Sequence, residues 1–358
     1  MIPLSQPQWQ LKEGLLKDRP TDSAATDSWQ QQLAGACREV PALLAALGLD
    51  PAEAPYPLEA RSAFPLRVPQ AFIDLMQPGN WFDPLLLQVL PLARESEQAP
   101  GFSQDPLKER DTNPVPGLIH KYHGRVLLIA SPACAVHCRY CFRRHFPYED
   151  NTPSRADWDK ALDYIRQRPD ITEVILSGGD PLALNDRRLA ELVGAINAID
   201  HVTTLRFHTR LPVVLPDRIS PELCDTLQAI DKKVVFVIHC NHPAELGEAL
   251  ARSLGKLRAL GVTLLNQTVL LSGVNDNAEA LSALSRGLFN VGVLPYYLHQ
   301  LDRVEGAAHF ELTDEQARQL HTRLMEQLPG YLVPRLVRED PNIVYKAPLV
   351  QATPAGSQ

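Results

Sequence analysis

Long hydrophobic runs are missing from this chain: no stretch approaches the roughly 18–20 apolar residues that span a bilayer. Blocks of one charge are missing too. The 35 Lys and Arg are scattered among 42 Asp and Glu, for a formal charge of −7. A protein that grips a phosphate backbone or an anionic membrane surface needs its cations clustered, so general nucleic-acid or membrane-surface binding is argued against. The first ten residues, MIPLSQPQWQ, lack the charged-then-apolar pattern of a secretory leader, and a cytoplasmic location is expected. No internal repeat or low-complexity tract is visible. Cysteine is sparse: six in 358 residues is not the density of a disulfide scaffold. What remains, 45% hydrophobic and 22% charged residues, is ordinary for a globular protein with room for one barrel-sized core and extensions.

The 31 prolines concentrate in the first third and at loops. Residues 1–110 read as a mostly helical N-terminal extension. Its clearest helix is expected from Trp29 to Leu47, capped by Asp27 or Ser28, interrupted by Pro41 and closed by Gly48. From Arg125 the pattern becomes regular. Apolar, β-branched runs (RVLLIAS, EVILSG, TLRFHTR, KVVFVIH, VTLLNQTVL and GVLPYYLH) alternate with amphipathic stretches near 154–168, 186–199, 220–230, 244–260 and 276–290. Six βα units in order predict an α/β fold with a parallel sheet and crossover helices. An open doubly wound sheet and a full or partial TIM barrel share this signature. Unusual polar residues cluster at the C-terminal ends of the strands, which favours the barrel. The expected organisation is an extension over 1–110, a partial (β/α)6 TIM-like barrel over 111–312, and a C-terminal helix with a short strand-like segment over 313–358. Thr313 and Gln316 form a capping box, and Gly330 is expected to close that helix.

Three of the six cysteines, Cys134, Cys138 and Cys141, follow the first apolar run in the order C-x3-C-x2-C. Three thiolates this close can hold one metal centre and are one short of closing it, since structural zinc sites and cubane clusters take four protein ligands. An open position lets a small molecule reach metal. A zinc site with a distant fourth ligand such as His137, serving a non-catalytic barrel, is the competing reading, beside three unrelated buried cysteines. Cys37, Cys224 and Cys240 read as buried small hydrophobes. The C-x3-C-x2-C spacing resembles that of the radical S-adenosylmethionine (SAM) enzymes. The resemblance implies a [4Fe–4S] cluster with three irons on cysteine and the fourth open to SAM.

One βα unit later comes SGGDP, residues Ser177, Gly178, Gly179, Asp180 and Pro181. Two glycines let backbone groups approach a ligand closely, although a tight βα turn needs no more. Here the likeness widens. VPGLIHKYHGRVLL, CRYCFRR, ILSGGDPL, TRLPVVLPDRISPEL, HCNHPAEL, LLNQTVLLSGVND and LPYYLHQLD resemble the lysine 2,3-aminomutase family almost continuously from 113 to 302.

That resemblance implies an isomerase that moves an amino group between adjacent carbons using SAM, a [4Fe–4S] cluster and pyridoxal 5′-phosphate (PLP). It implies Lys346 as the catalytic lysine that holds PLP and Arg125 at the PLP phosphate. It also implies Ser177, Gly178, Gly179, Asp180, His239 and Gln267 around SAM. For substrate it implies Arg143 on the carboxylate of L-lysine, with Asp302 and Glu339 on the far-end ammonium. A guanidinium suits a carboxylate because it donates two parallel hydrogen bonds; Arg144 competes for that role. Members with a glycine run before the PLP lysine differ from this chain, which has Pro341-Asn-Ile-Val-Tyr-Lys346. The branch that modifies elongation factor P with (R)-β-lysine also lacks it. Membership of that branch implies an electron donor such as flavodoxin or ferredoxin and a functional link to elongation factor P and its β-lysine ligase; the alternative within the family is a stand-alone aminomutase of lysine or β-lysine metabolism.

Overall fold

The computed structural model describes residues 28–59, 64–146 and 155–349; residues 1–27 of the expected extension and 350–358 of the expected C-terminal segment lie outside them. The six expected strands are present as β2 (Arg125–Ser131), β3 (Glu173–Gly178), β4 (Thr204–Thr209), β5 (Lys233–His239), β6 (Thr263–Val269) and β7 (Leu294–His299). Helices Arg155–Arg166, Asp186–Asn197, Pro221–Gln228, Glu248–Ala259 and Ala278–Asn290 make the crossovers between them. Three short strands complete the sheet. β1 (Leu118–Tyr122) runs antiparallel to β2, β8 (Arg335–Arg338) adds a further parallel strand after β7, and β9 (Ala347–Pro348) turns back antiparallel on β8.

All nine strands lie in chain order. A doubly wound sheet reverses direction at a switch point; an unbroken order is the winding of a barrel. Residues from every strand between β2 and β7 line one cavity, which a flat sheet could not achieve. Among the described residues β1 and β9 do not pair, so the barrel is partial. Side chains bridge that seam instead. The Tyr122 hydroxyl donates to Glu339 Oε2 at 2.6 Å, and Lys121 Nζ lies 3.8 Å from the same oxygen.

The period-two alternation of the strands divides the sheet into two faces. Val126, Leu128, Val174, Leu176, Leu205, Phe207, Phe236, Ile238 and Leu264 point to the crossover helices and form the main core. The intervening residues, among them Arg125, Ser177, Arg206, His208, His239, Gln267 and His299, face the cavity. Each crossover helix answers with an apolar stripe, such as Trp158, Ala161, Leu162 and Ile165. The described part of the N-terminal hundred residues shares this core through residues such as Leu43, Val68, Phe72 and Leu86.

Two local expectations need correction. The helix expected from Trp29 to Leu47 is two helices, Trp29–Ala34 and Val40–Ala46. The break falls before Pro41, where Gly35 caps the first helix and Cys37 pairs with Val68. Pro41 sits in the first turn of the second helix, where its missing N–H costs nothing. At the other end the helix Asp314–Gln327 starts on the expected Thr313–Gln316 capping box but stops at Leu328. Burial of Leu328 against Leu320, Leu324 and Leu332 draws the chain out of the helix, and Gly330 begins a separate 3-10 turn. No helix among the described residues is long and apolar enough to cross a membrane.

Candidate active site

The C-terminal ends of the strands surround a cavity of about 380 Å³, and every candidate residue named above lines it. The cysteine loop leaves β2 and is laid against the turn that leaves β3. The Gly179 N–H donates to Ser131 O and the Asp180 N–H to Ala133 O, each at 2.8 Å. A Cβ on Gly179 would stand 2.5 Å from Ala133 O and 2.6 Å from Pro132 O. One on Gly178, at φ +126°, would stand 2.4 Å from Ser131 O. The glycines therefore make room for the backbone of the cysteine loop itself. The Asp180 carboxylate accepts from Leu182 N (3.0 Å), Thr209 Oγ1 (2.7 Å), Arg210 N (2.8 Å) and Leu211 N (3.0 Å). It thus ties the ends of β3 and β4 together.

Cys134, Cys138 and Cys141 share this cavity. Burial and then the neighbouring thiols push Cys134 well up and Cys141 up to about 11. Half-buried thiols crowded in this way ionise together only if cations compensate them, and iron does so while displacing their protons. The donor set therefore fits an iron–sulfur cluster. Among the described residues no three His, Cys, Asp or Glu side chains converge on a single-ion site. His137 is held by the N-terminal segment: its Nδ1 lies 2.8 Å from Pro65 O and its ring stacks on Phe64 at 4.9 Å. The same segment grips the flanking arginines. Glu95 accepts from Arg139 Nε and Arg144 Nη2, both at 2.8 Å. Cys240 is fully buried, while Cys37 and Cys224 pack half-buried against the main core.

Arg143 is 7% exposed and heavily engaged. Its Nε and Nη2 donate to the two oxygens of Glu109 at 2.7 Å, and its Nη1 donates to Ser177 Oγ (3.1 Å) and Gly178 O (3.2 Å). The two-pronged edge expected to meet a substrate carboxylate is thus held on Glu109. Arg144 is committed to Glu95 and to the carbonyls of Arg139 and Gly306. His239 and Gln267 meet through Nε2 atoms 2.8 Å apart. Burial, followed by the Arg210, Arg143 and Lys346 charges, holds His239 down to about 3. It is neutral, as are His208 on the adjacent β4 and the buried His299 on β7, both held well below the usual histidine range mainly by desolvation.

On the remaining side Lys346 pairs with Glu339, and its ammonium lies 5.5 Å from the Tyr297 ring centroid. Burial works to raise the Glu339 carboxyl, but Lys346, Tyr122 and Lys121 hold it below the usual range. Burial and then Glu339 push Asp302 up to about 7. Arg303, its neighbour, is taken by Glu311 at 2.7 Å. Arg125 lies over the Tyr122 ring at 4.6 Å. Lys121, Arg125 and Lys346 thus bring three cations, and Tyr122 and Tyr297 two aromatic faces, to one cavity. That set suits a phosphorylated aromatic aldehyde.

Several participants escaped the sequence reading. Arg206, His208 and Arg210 alternate with Leu205, Phe207 and Thr209 in TLRFHTR, a period-two signal that could have found them. Glu109, Gln88 and Glu95 carry no such signal.

Residues 128–284 match the model of the Radical SAM superfamily. The L-lysine 2,3-aminomutase of Escherichia coli (strain K12) is 47% identical over 331 residues, covering 92% of this chain and 96% of that protein. The L-lysine 2,3-aminomutase of Haemophilus influenzae is 49% identical over 312 residues, covering 87% and 92%. That of Clostridium subterminale is 34% identical over 280 residues, covering 78% and 67%. Among solved structures, a radical SAM methyltransferase from Sphaerobacter thermophilus aligns with a TM-score of 0.44 at 17% identity, covering 63% of this chain and 70% of that one. Identity approaching one residue in two along nearly the full length of two such relatives, around a radical SAM core, makes this chain a member of the lysine 2,3-aminomutase family of radical SAM isomerases, which use a [4Fe–4S] cluster, SAM and PLP.

Proposed function

We propose that this chain converts L-α-lysine to β-lysine and that the product serves the modification of elongation factor P. The observation that carries the reaction is the charge around one cavity: a guanidinium, Arg143, on the cysteine side and two carboxylates, Asp302 and Glu339, beside Lys346. Lysine carries the complementary pair, a carboxylate at one end and an ammonium at the other. A glutamate-specific enzyme would need a cation in place of the two carboxylates.

When bound, the cluster with SAM supplies hydrogen abstraction from an unactivated carbon, and PLP supplies a temporary site for nitrogen. The protein's part is to hold and orient. Cys134, Cys138 and Cys141 hold the cluster. Ser177, Gly178, Gly179 and Asp180 shape the SAM side with neutral His239 and Gln267, Lys346 carries PLP, and Arg125 meets its phosphate. Glu109 has to yield or share the Arg143 fork for a substrate carboxylate to bind there. The link to elongation factor P draws support from the Pro341–Tyr345 segment, which has no glycine, and from Glu339, seven residues before Lys346, where the resemblance to the wider family implies an aspartate. A flavodoxin- or ferredoxin-type donor would deliver the electron, and a separate ligase would attach the β-lysine.

The test is anaerobic incubation of the iron-loaded protein with SAM, PLP, a reductant and L-lysine, followed by chiral analysis of the product. A colourless protein with stoichiometric zinc would instead support the non-catalytic reading. Asp302→Asn should lower kcat/KM for lysine at least about tenfold, the loss of one charge-assisted hydrogen bond, with iron and PLP content unchanged. Unchanged turnover at full cofactor content removes the basis for lysine as substrate.

A further inference from the structure

Beside the cysteine loop lies a buried polar network that the proposed chemistry leaves unused. At its centre is Arg210, the residue that follows β4, only 5% exposed. Its Nη1 donates to Cys138 Sγ at 2.8 Å and to the Tyr140 hydroxyl. Its Nη2 donates to Gln88 Oε1 at 2.8 Å and to Glu245 Oε2 at 3.3 Å. Its backbone N–H is fixed by Asp180 at 2.8 Å. The support is itself built: Gln88 Nε2 donates to Glu245 Oε1 at 3.1 Å, and Asn241 Nδ2 donates to Gln88 Oε1 (2.9 Å) and Tyr140 Oη (2.6 Å). A full positive charge is thereby held on one sulfur of the three, with a single carboxylate as counter-ion on its far edge.

Salt bridging alone would not require the sulfur contact. Hydrogen bonds to cluster sulfurs and the net charge nearby are what set the potential of an iron–sulfur centre. Reduction adds one electron and one negative charge to a cluster. A cation that also donates an N–H to a ligating sulfur stabilises the reduced state more than the oxidised one, and the more so in a dry site. The inequivalence matters as well: Cys138 receives a guanidinium hydrogen bond, whereas Cys141 takes a backbone N–H from Arg143.

Taking Cys138 as a cluster ligand, as in the reading above, we infer that Arg210 is a positioning residue that raises the reduction potential of the cluster through its N–H···S bond to Cys138, with Glu245 as the opposing trim.

The experiment is a potentiometric titration of the anaerobically reconstituted protein, followed by the spin signal of the reduced cluster, with iron content measured on each sample. Arg210→Met should shift the midpoint to lower potential by about 59 mV, a tenfold change in a one-electron equilibrium. Glu245→Gln keeps Arg210 and removes the opposing charge, and should shift it upward. Arg210→Met leaves Glu245 buried and unpaired and could fail to fold, so the double variant Arg210→Met/Glu245→Gln removes the ion pair together; its midpoint should also lie below that of the parent. A network with a purely structural role would lower thermal stability and leave the midpoint in place. Identical midpoints in the iron-loaded variants overturn the inference. A parent protein that binds no iron at the three cysteines overturns the cluster reading itself, and the iron assay reports that separately.

Discussion

Asp302 and Glu339 are neighbouring carboxylates that the fold treats in opposite ways. Burial and Glu339 push Asp302 up to about 7, while Lys346 and Tyr122 keep Glu339 below the usual range. In the proposed reading, the lysine ammonium needs Asp302 ionised. The pH profile of kcat/KM, which reports the free enzyme, should therefore rise through about pH 7 and then level, and Asp302→Asn should abolish that limb. Stability runs the other way: an acid held above its unfolded value of 3.8 binds its proton more tightly in the fold, so its contribution is lost as pH rises through about 7. A second residue-scale test concerns Gly179. Its neighbours are carbonyl oxygens rather than movable side chains, so Gly179→Ala must push the cysteine loop away. The expected result is a loss of about 1–3 kcal/mol in stability together with reduced iron per chain after anaerobic loading. Full iron content and normal SAM cleavage would mean that the loop is placed by something else. At this scale the sequence revealed residues whose chemistry is unusual, such as the closely spaced cysteines. It hid residues whose importance is relational. Glu109 is an ordinary acid until Arg143 is seen on it, 34 positions away.

Elements were legible where their determinants are local. The capping box at Thr313 is an example: its hydroxyl accepts the Gln316 N–H at 3.2 Å and Gln316 Oε1 accepts the Thr313 N–H at 2.8 Å. Thr313→Ala should cost about 1 kcal/mol, seen as a lower Tm with kcat and KM unchanged, because the helix Asp314–Gln327 packs on the outside of β7 and β8 through Leu320 and Leu324. The parallel strands were legible because each is a short, mostly apolar run set between amphipathic helical stretches, and in β4 and β6 core and cavity residues alternate with period two. β8 and β9 are four and two residues long, too short to show a period, and their identity as strands comes from pairing, β8 with β7 and β9 with β8. The split of the first helix was misread for a related reason. Pro41 is a visible breaker, but the bridge from Cys37 to Val68 is a tertiary contact and leaves no local mark.

Across the molecule, the N-terminal segment and the partial barrel meet at the cysteine loop. Glu95 supplies one carboxylate to two buried arginines, Arg139 and Arg144, on either side of Cys141 in the chain. Although burial opposes it, these arginines hold Glu95 below the usual carboxylate range. Its contribution to stability is present above about pH 4.5 and is lost as pH falls through its lowered folded value. Glu95→Gln removes the shared charge and strands both guanidiniums, which should cost about 3–5 kcal/mol. Urea unfolding of this variant checks that cost, and iron content checks whether the loop stays ordered enough to load.

The seam between the first and last strands of the sheet has a consequence for how the chain is made. Tyr122 and Glu339 are 217 positions apart, and their contact is among the most distant in sequence that the fold contains. Contacts of this separation form late and slowly, because a long loop must be closed before they reward it. A growing chain that has reached Arg338 already holds every strand of the parallel set, yet one flank of its reaction chamber has no wall. The wall arrives with the same short stretch that delivers Lys346. During synthesis the cavity is therefore shut by the segment that bears Lys346, and until that moment its inner face stands open sideways.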